Sequence, residues 1–594
     1  MKFRLWVKLA TLVISIGILT SCSSSQESLW LKSPDWSRGA FIGNTKVVAP
    51  VSFVSGLNNN VYFLLVDLNE ETTNYSFSLV RMNSGSDELD RFTISPGELL
   101  NVKQPEILRD EDGNLRLFWI ASEGLYTLPV SEDGASIGEP VLLSGSDAVS
   151  SYDIAHSLDG KITLWYAGSR RIPGIYSLSE FDGSAQGIVV DQDGTLVRLR
   201  YDEKGQLHTA WVHYPFGFEQ SDVVYGVYDP AAQEFSTAYS PIFPLEVGTT
   251  ISLDDLALGV DDTNVYFSWA TNVHTGPLAG DIRANYATFP IGTSLPTTPQ
   301  PVFAPMIYSL EFEDFSSDLK AGKRISLRGL DAPMTIKIQD FRTNVLPAGE
   351  VVLAVRSPAE HLWRKTREQV NLVYFDNGSL SAYQPLTFTS TISTFPNVMI
   401  DQDGYVSLTW LEKETSSQHS VYFASTQPQM IDRFDTVSYN ETLTVIYTVL
   451  FGMLIGALLA PIAAGVWLLA PVFVLALFSF VSRLFPTKLK GFLSTLGVVA
   501  AVATVWYIKL AIFPLMMEYV PFSAWVPNIP IVLGNILRVI VPLLTLAISG
   551  FTAWHYTYRQ KNNSSLYFML IYVGVDALIT TSIYAVLIYG TYVQ

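Results

Sequence analysis

An all-β propeller of about seven four-stranded blades, followed by an all-α transmembrane helix bundle, is the fold class this sequence predicts. Three observations carry the reading: a loose repeat across residues 35–435, an abrupt loss of charge after Leu443, and a single cysteine, Cys22, in a chain of 594 residues.

The repeat is seen in "ILRDEDGNLRLFWIAS", "IAHSLDGKITLWYAG", "LRYDEKGQLHTAWVHY", "LGVDDTNVYFSWAT" and "VMIDQDGYVSLTWLEK". Each has an apolar strand, an Asp-containing turn usually closed by Gly, and a second strand that ends in Trp. The tryptophans are Trp119, Trp165, Trp211, Trp269 and Trp410. Residues 56–68 and 346–357 have the same form without Trp, which brings the units to seven. Alternation such as Leu115, Leu117 and Trp119 fits a strand with one buried face. Further short strands, for example "GLYTLPV" and "EPVLLS", fall between units. Four strands per unit at this period predict propeller blades.

The helical half begins with an uncharged run from Leu443 that holds Pro461 and Pro471. Spans are predicted at 443–482 (long or broken), 492–515, 529–554 and 566–590, each long enough for ~30 Å of hydrocarbon. Basic residues cluster in "SRLFPTKLKG" and "YRQKNN", whereas "MEYVPFSAWVPN" carries only Glu518. By the positive-inside rule the first two loops face the cytoplasm and the third faces out. That arrangement gives four crossings and an outward-facing segment before residue 440, whereas a first run that crosses twice gives five and puts both basic loops outside. Gly452 and Gly456 form a small-residue spacing suited to close helix approach. Arg538 and Asp576 both count to mid-depth, so they are expected to pair, while Lys509 counts to nearer the outer surface.

Residues 1–22 read as an export leader. Lys2, Arg4 and Lys8 precede a short apolar run, Leu9 to Leu19, and then small residues. The stretch Leu19-Thr20-Ser21-Cys22 resembles the lipobox of bacterial lipoproteins. The resemblance implies cleavage before Cys22 and lipid attachment to its thiol. Residues 23–34 are then a linker. With one cysteine no intramolecular disulfide can form, so core burial must hold the fold.

The chain has 37 Lys+Arg and 55 Asp+Glu. Three of the positives lie in the leader, and residues 441–594 hold seven positives and three acids. Residues 23–440 are left with 27 against 52. A segment this acidic repels nucleic acid, so none is expected as a partner.

Candidate chemistry is sparse. The histidines lack zinc spacing, no phosphate-binding glycine loop occurs, and neither a metal nor a cofactor is expected. The Asp-Gly sequences 110–113, 191–194 and 401–404 read as turns rather than calcium loops. The letters "GASIG" at 134–138 lack the strand-turn-helix context of a nucleophile elbow. Ser131, Asp133 and Ser136 resemble a worn copy of the BNR repeat of sialidase-like propellers, and Arg171-Ile172-Pro173 is similar to a motif of that family. The resemblance implies a propeller of six or seven blades. The family's activity, where present, is sialoside hydrolysis with an arginine triad, a Tyr–Glu pair and an acidic residue. The motif falls inside the array rather than before it, so no catalytic residue is carried across and no arginine triad is expected at the axis. The expectation is a membrane-anchored extracytoplasmic module that binds a glycan or protein ligand. A sialidase-like hydrolase and a transporter with a propeller cap are the alternatives.

Overall fold

The computed structural model describes residues 28–29 and most of 33–589; the longest internal stretches outside the description are 306–321 and 513–530. The leader and Cys22 lie outside the described residues, as do Arg171 and Ile172.

Seven blades follow one another around an axis. Blade 1 is Phe53–Ser55, Val61–Leu68, Tyr75–Met82 and Leu89–Leu99, each antiparallel to the next. Blade 2 is Lys103–Arg109, Leu115–Ala121, Gly124–Val130 and Val141–Leu142. Blade 3 is Val149–His156, Ile162–Gly168, Ile175–Leu178 and Ile188–Asp191. Blade 4 is Gly194–Tyr201, Leu207–His213 and Ser221–Asp229, with Glu234–Phe235 and Ser240–Leu245 both paired to the third strand. Blade 5 is Ile251–Val260, Asn264–Val273, Ile282–Pro290 and Gln300–Pro301. Blade 6 is Gln339–Val345, Val351–Leu362, Lys365–Asp376 and Ser379–Pro385, with Ile325–Ser326 added outside.

Blade 7 closes the ring. Ser393–Ile400, Val406–Lys413 and His419–Ser425 come from the end of the array, and Gly39–Thr45 from its beginning pairs with His419–Ser425 as the fourth strand. The two distant ends of the array are thereby hydrogen-bonded into one sheet, and the circle leaves no open blade edge at the join.

The seven sequence units correspond to the seven blades. All five repeat tryptophans lie on second strands, as do the two units without Trp. The aspartates of the repeat turns act on their own backbone. Asp202 Oδ1 accepts the N–H groups of Lys204 at 3.0 Å and Gln206 at 2.7 Å. Asp401 Oδ1 accepts those of Asp403 at 3.0 Å and Tyr405 at 2.8 Å. These are Asx turns, the local use for which Asp is favoured there.

The core is divided among the blade interfaces. Seven separate clusters of buried apolar side chains fill the seven gaps, from Leu64, Phe77 and Trp119 between blades 1 and 2 to Ile42, Phe63 and Phe423 between blades 7 and 1. Each sheet is thus covered on both faces, which is why its central strands read as nearly continuous apolar runs.

A short helix, α1 (Pro428–Phe434), packs Met430 into the last of these clusters. Four long apolar helices follow: α2 (Tyr439–Ser482), α3 (Thr487–Ile512), α4 (Ile531–Arg559) and α5 (Ser565–Tyr589). All four are long and apolar enough to cross a membrane. The first is one continuous helix of 44 residues through Pro461 and Pro471, so the long run is neither broken nor doubled. Helices α2 and α5 meet closely at Gly456, where an added Cβ would lie 2.2 Å from the Thr581 carbonyl oxygen. Only glycine permits that approach.

Candidate functional site

The first strands of consecutive blades approach one another and form the inner ring. Six of these seven strands carry a β-bulge, at Val149/Ser151, Thr195/Arg198, Leu253/Asp255, Gln339/Arg342, Thr394/Asn397 and Lys103/Glu106. In four of them a non-glycine residue sits at positive φ: Gln104 at 47°, Leu196 at 51°, Asp340 at 58° and Phe395 at 49°. These φ values lie in the left-handed region, which is uncommon outside glycine. Bulges bend a strand and re-aim the side chains that follow.

What they aim at the axis is charged. Asp255 on blade 5 lies between two arginines, Arg198 Nη2 of blade 4 at 3.3 Å and Arg342 Nη1 of blade 6 at 3.7 Å. Asp153 on blade 3 lies 3.8 Å from Arg200 Nη1 of blade 4. The same carboxylates also join blades through backbone groups. Leu199 N donates to Asp153 at 2.6 Å, Phe341 N to Asp255 at 3.0 Å, and Phe395 N to Asp340 at 3.2 Å. Arg198 Nε donates to the Leu256 carbonyl at 2.6 Å. Such bonds hold the inner strands in place, so Asp153, Asp255 and Asp340 have a structural duty whatever else they do.

Glu106 differs from them. Its carboxyl has no hydrogen bond or close ion pair to a described residue. The side chain is partly open to solvent, yet the blades around it replace most of the surrounding water. That desolvation, reinforced by the charge of Asp153 and opposed by Arg342, Arg198 and Arg200, pushes its pKa up to about 7. Two buried polar atoms nearby on the inner strands also lack a partner among the described residues, Gln104 Oε1 on the strand of Glu106 and Ser151 Oγ on that of Asp153. Tyr152, buried between blades 2 and 3, donates its hydroxyl to the Gln104 and Phe118 carbonyls, the latter at 3.1 Å.

The sequence reading expected no sialidase-type arginine triad at the axis; what the structure places there is Arg198 and Arg342 on Asp255 and Arg200 on Asp153. A signal for this was present. Glu106, Asp153, Arg198 and Asn397 each stand four residues before the turn residue of their unit, at Asp110, Ser157, Asp202 and Asp401. Comparing units at that offset would have shown a polar inner ring among otherwise apolar strands.

In the helical bundle the expected Arg538–Asp576 pair is corrected. Asp576 takes Lys509 instead, with Lys509 Nζ 3.0 Å and 2.9 Å from its two carboxylate oxygens and both side chains fully enclosed. The ammonium also lies 5.6 Å from the Trp467 ring and 5.2 Å from that of Trp506. Counting depth from each loop assumes that the loops are level. Packing places the end of α3 beside the middle of α5, which residue counting could not foresee.

Other buried polar groups brace single blades. Glu412 accepts from Ser393 at 2.5 Å, Thr389 at 2.9 Å and Trp410 Nε1 at 2.9 Å, and also from Thr391. His208 joins Tyr225 at 2.6 Å and Asp202 at 3.3 Å.

No protein-family profile matches this sequence, and no curated protein matches it. Among solved structures it is similar to the polysaccharide lyase Uly1, at 9% identity and TM-score 0.44 over 64% of this chain and 91% of that one. It is also similar to the α-L-arabinanase of Penicillium chrysogenum complexed with arabinobiose, at 10% identity and TM-score 0.36 over 65% and 97%. A third is the α-L-arabinofuranosidase Arb93A of Fusarium graminearum, at 7% identity and TM-score 0.33 over 65% and 97%. At these identities no residue and no activity carries over from any of them.

Proposed function

We propose that this chain is a membrane-anchored extracytoplasmic lipoprotein whose propeller binds a ligand at the charged inner ring, with the four helices as its anchor. The observation that carries the binding reading is the cluster of Arg198 and Arg342 on Asp255 and of Arg200 on Asp153, beside Gln104 Oε1 and Ser151 Oγ, which have no hydrogen-bond partner among the described residues. A fold that needed only a core would not place them there, because unpaired buried polar groups cost about 1–3 kcal/mol each. The bundle supports anchoring rather than transport, since its Lys509 and Asp576 charges are spent on each other.

The outward orientation rests on the basic loops 483–491 and 556–564 facing the cytoplasm. The lipid anchor rests on Leu19-Thr20-Ser21-Cys22. Cys22→Ala is expected to abolish incorporation of labelled fatty acid while the protein stays in the membrane fraction. Incorporation that survives the change removes the lipid anchor from the reading, and release of the protein removes the helical one.

Binding is tested on a glycan array with the purified full chain in nanodiscs, beside Arg200→Ala. The expected result is a glycan retained by the native chain and lost by the variant. Equal retention by both places the site elsewhere, and retention of nothing defeats glycan binding. Glycoside hydrolysis is a second reading, favoured by Glu106. A carboxyl with a pKa of about 7 can serve as a general acid near neutrality. Turnover of a glycan by the native chain and none by Glu106→Gln would establish it.

A further inference from the structure

Antiparallel blades give the propeller two unlike faces. The first strand of a blade ends in the Asp turn and the third strand ends on the same side, so these connections share one face. The second-to-third turns and the passages between blades share the other. The chain both enters and leaves the propeller on the turn face, at blade 7. Thr426 N donates to the Val406 carbonyl at 2.9 Å, and the Thr426 hydroxyl accepts from Val406 N at 2.9 Å, just after the Asp401 turn. Helix α1 follows at once and lies against that face. Met430 is buried between blades 7 and 1, and Arg433 Nη1 donates at 2.6 Å to the carbonyl of Asn83, the residue after the third strand of blade 1. On the entering side, Ser37 N donates to the Ser425 carbonyl at 2.8 Å, and Ser37 Oγ accepts from Ser425 N at 3.1 Å. Ser28 and Leu29 pair with Ala40 and Gly39 at the same end of the blade.

We propose that the propeller stands with its Asp-turn face toward the membrane, and that the inner ring takes a soluble ligand from the medium through the opposite face. The second half rests on the binding reading above; the first half does not. Both tethers are short. Helix α2 starts at Tyr439, five residues after Phe434, a reach of about 18 Å. The apolar span starts at Val449, so about 15 Å of helix lies between. Ser28 stands six residues after Cys22, the proposed lipid site, or about 20 Å of extended chain. The blades are taller than either extended stretch: the second strand of blade 5, Asn264–Val273, rises about 30 Å. A propeller turned over would have to carry both tethers up its outer wall, and neither stretch covers that height.

Charge keeps the turn face from lying flat on the bilayer. Asp112, Asp133, Glu203, Asp262 and Asp403 are exposed there, beside the exposed bases Lys161 and Lys204. These carboxylates repel anionic headgroups within a Debye length, about 8 Å at physiological salt. The ring is arranged from the other side. Each of its six bulges opens within the first three residues of a first strand, the end away from the Asp turns. The face that stands clear of the bilayer is therefore the one from which the charged side chains are set, and the one a soluble ligand can approach.

The test is resonance energy transfer in the full chain in nanodiscs, from a dye on an introduced cysteine to a rhodamine-headgroup lipid. Cys22 is the one native cysteine, so the native chain treated with the same dye sets the background. Asp112→Cys and Asp262→Cys carry the dye on the turn face of blades 2 and 5, and Glu123→Cys and Leu278→Cys carry it on the far face of the same two blades; all four positions are exposed. Transfer from both turn-face dyes should exceed transfer from both far-face dyes, which stand about 20–30 Å higher. Equal transfer or the reverse order overturns the orientation. So does high transfer at both positions of one blade and low transfer at both of the other, which marks a propeller lying on its side. The ligand's side is read with a glycan that the array retains. A polyethylene glycol chain on Glu123→Cys or Leu278→Cys should abolish retention, and the same chain on Asp112→Cys or Asp262→Cys should leave it unchanged. Loss at the turn-face positions alone, or at none, overturns entry from the medium. If the array retains nothing, the binding reading and the ligand half fail together, and the order of transfer still decides the orientation.

Discussion

Asp576→Leu is expected to destabilise the helical bundle by about 3–5 kcal/mol, because it leaves the Lys509 ammonium buried without its partner. Lys509→Met should cost a similar amount by stranding the carboxylate. The double variant, Lys509→Met with Asp576→Leu, should recover most of the loss. Replacing a buried ion pair with apolar side chains of similar volume is often neutral or better, whereas breaking one is costly. The two oxygens of Asp576 both lie within hydrogen-bond range of one Nζ, so the two changes must couple. The measurement is the unfolding midpoint of the detergent-solubilised chain. Arg538→Gln is the control that separates this pairing from the one expected by counting residues. Additive losses in the double variant, or an equal loss in Arg538→Gln, would refute the Lys509–Asp576 coupling.

Trp211→Ala is expected to cost the propeller about 3–5 kcal/mol, the range for deleting a buried indole. Trp211 is fully buried between blades 3 and 4, against Trp165 at 6.2 Å and Phe235 at 5.9 Å. Its indole N–H donates to Asp191 Oδ2 at 2.6 Å, and His213 Nδ1 lies 2.7 Å from the same oxygen. Asp191 ends blade 3 and Trp211 lies within blade 4, so the bond fastens one blade to the next. Trp211→Phe keeps most of the apolar contact and loses only that bond, for about 1–2 kcal/mol. Circular dichroism melts of the full chain can rank the two variants. Equal losses in Phe and Ala would mean that the hydrogen bond, and not the packing, holds the interface.

Much of the architecture was legible because it is local. A turn aspartate hydrogen-bonds its own backbone within four residues, and a second strand alternates within seven, so each blade announces itself in a short window. The Trp-bearing units and the two units without Trp all proved to be second strands for that reason. The helices were equally plain, since hydrocarbon thickness sets a length that composition reveals. The closing strand Gly39–Thr45 was not legible in the same way. Its partner His419–Ser425 lies at the far end of the array, and pairing over that separation leaves no local mark.

What only the tertiary structure decided is which distant side chains meet. The sequence by itself determined the seven strand-turn-strand units and that the last helices carry Lys509, Arg538 and Asp576, while Glu106, Asp153, Arg198, Arg200, Asp255 and Arg342 stood unremarked on the first strands of those units. It could not determine that bulges turn these first-strand residues toward one axis, or that α3 and α5 are offset enough to give Asp576 to Lys509. Strand and helix periods follow from backbone geometry and repeat every few residues. The relative placement of blades and helices follows from the summed packing of many side chains, and a shift of one turn or one bulge changes every partner.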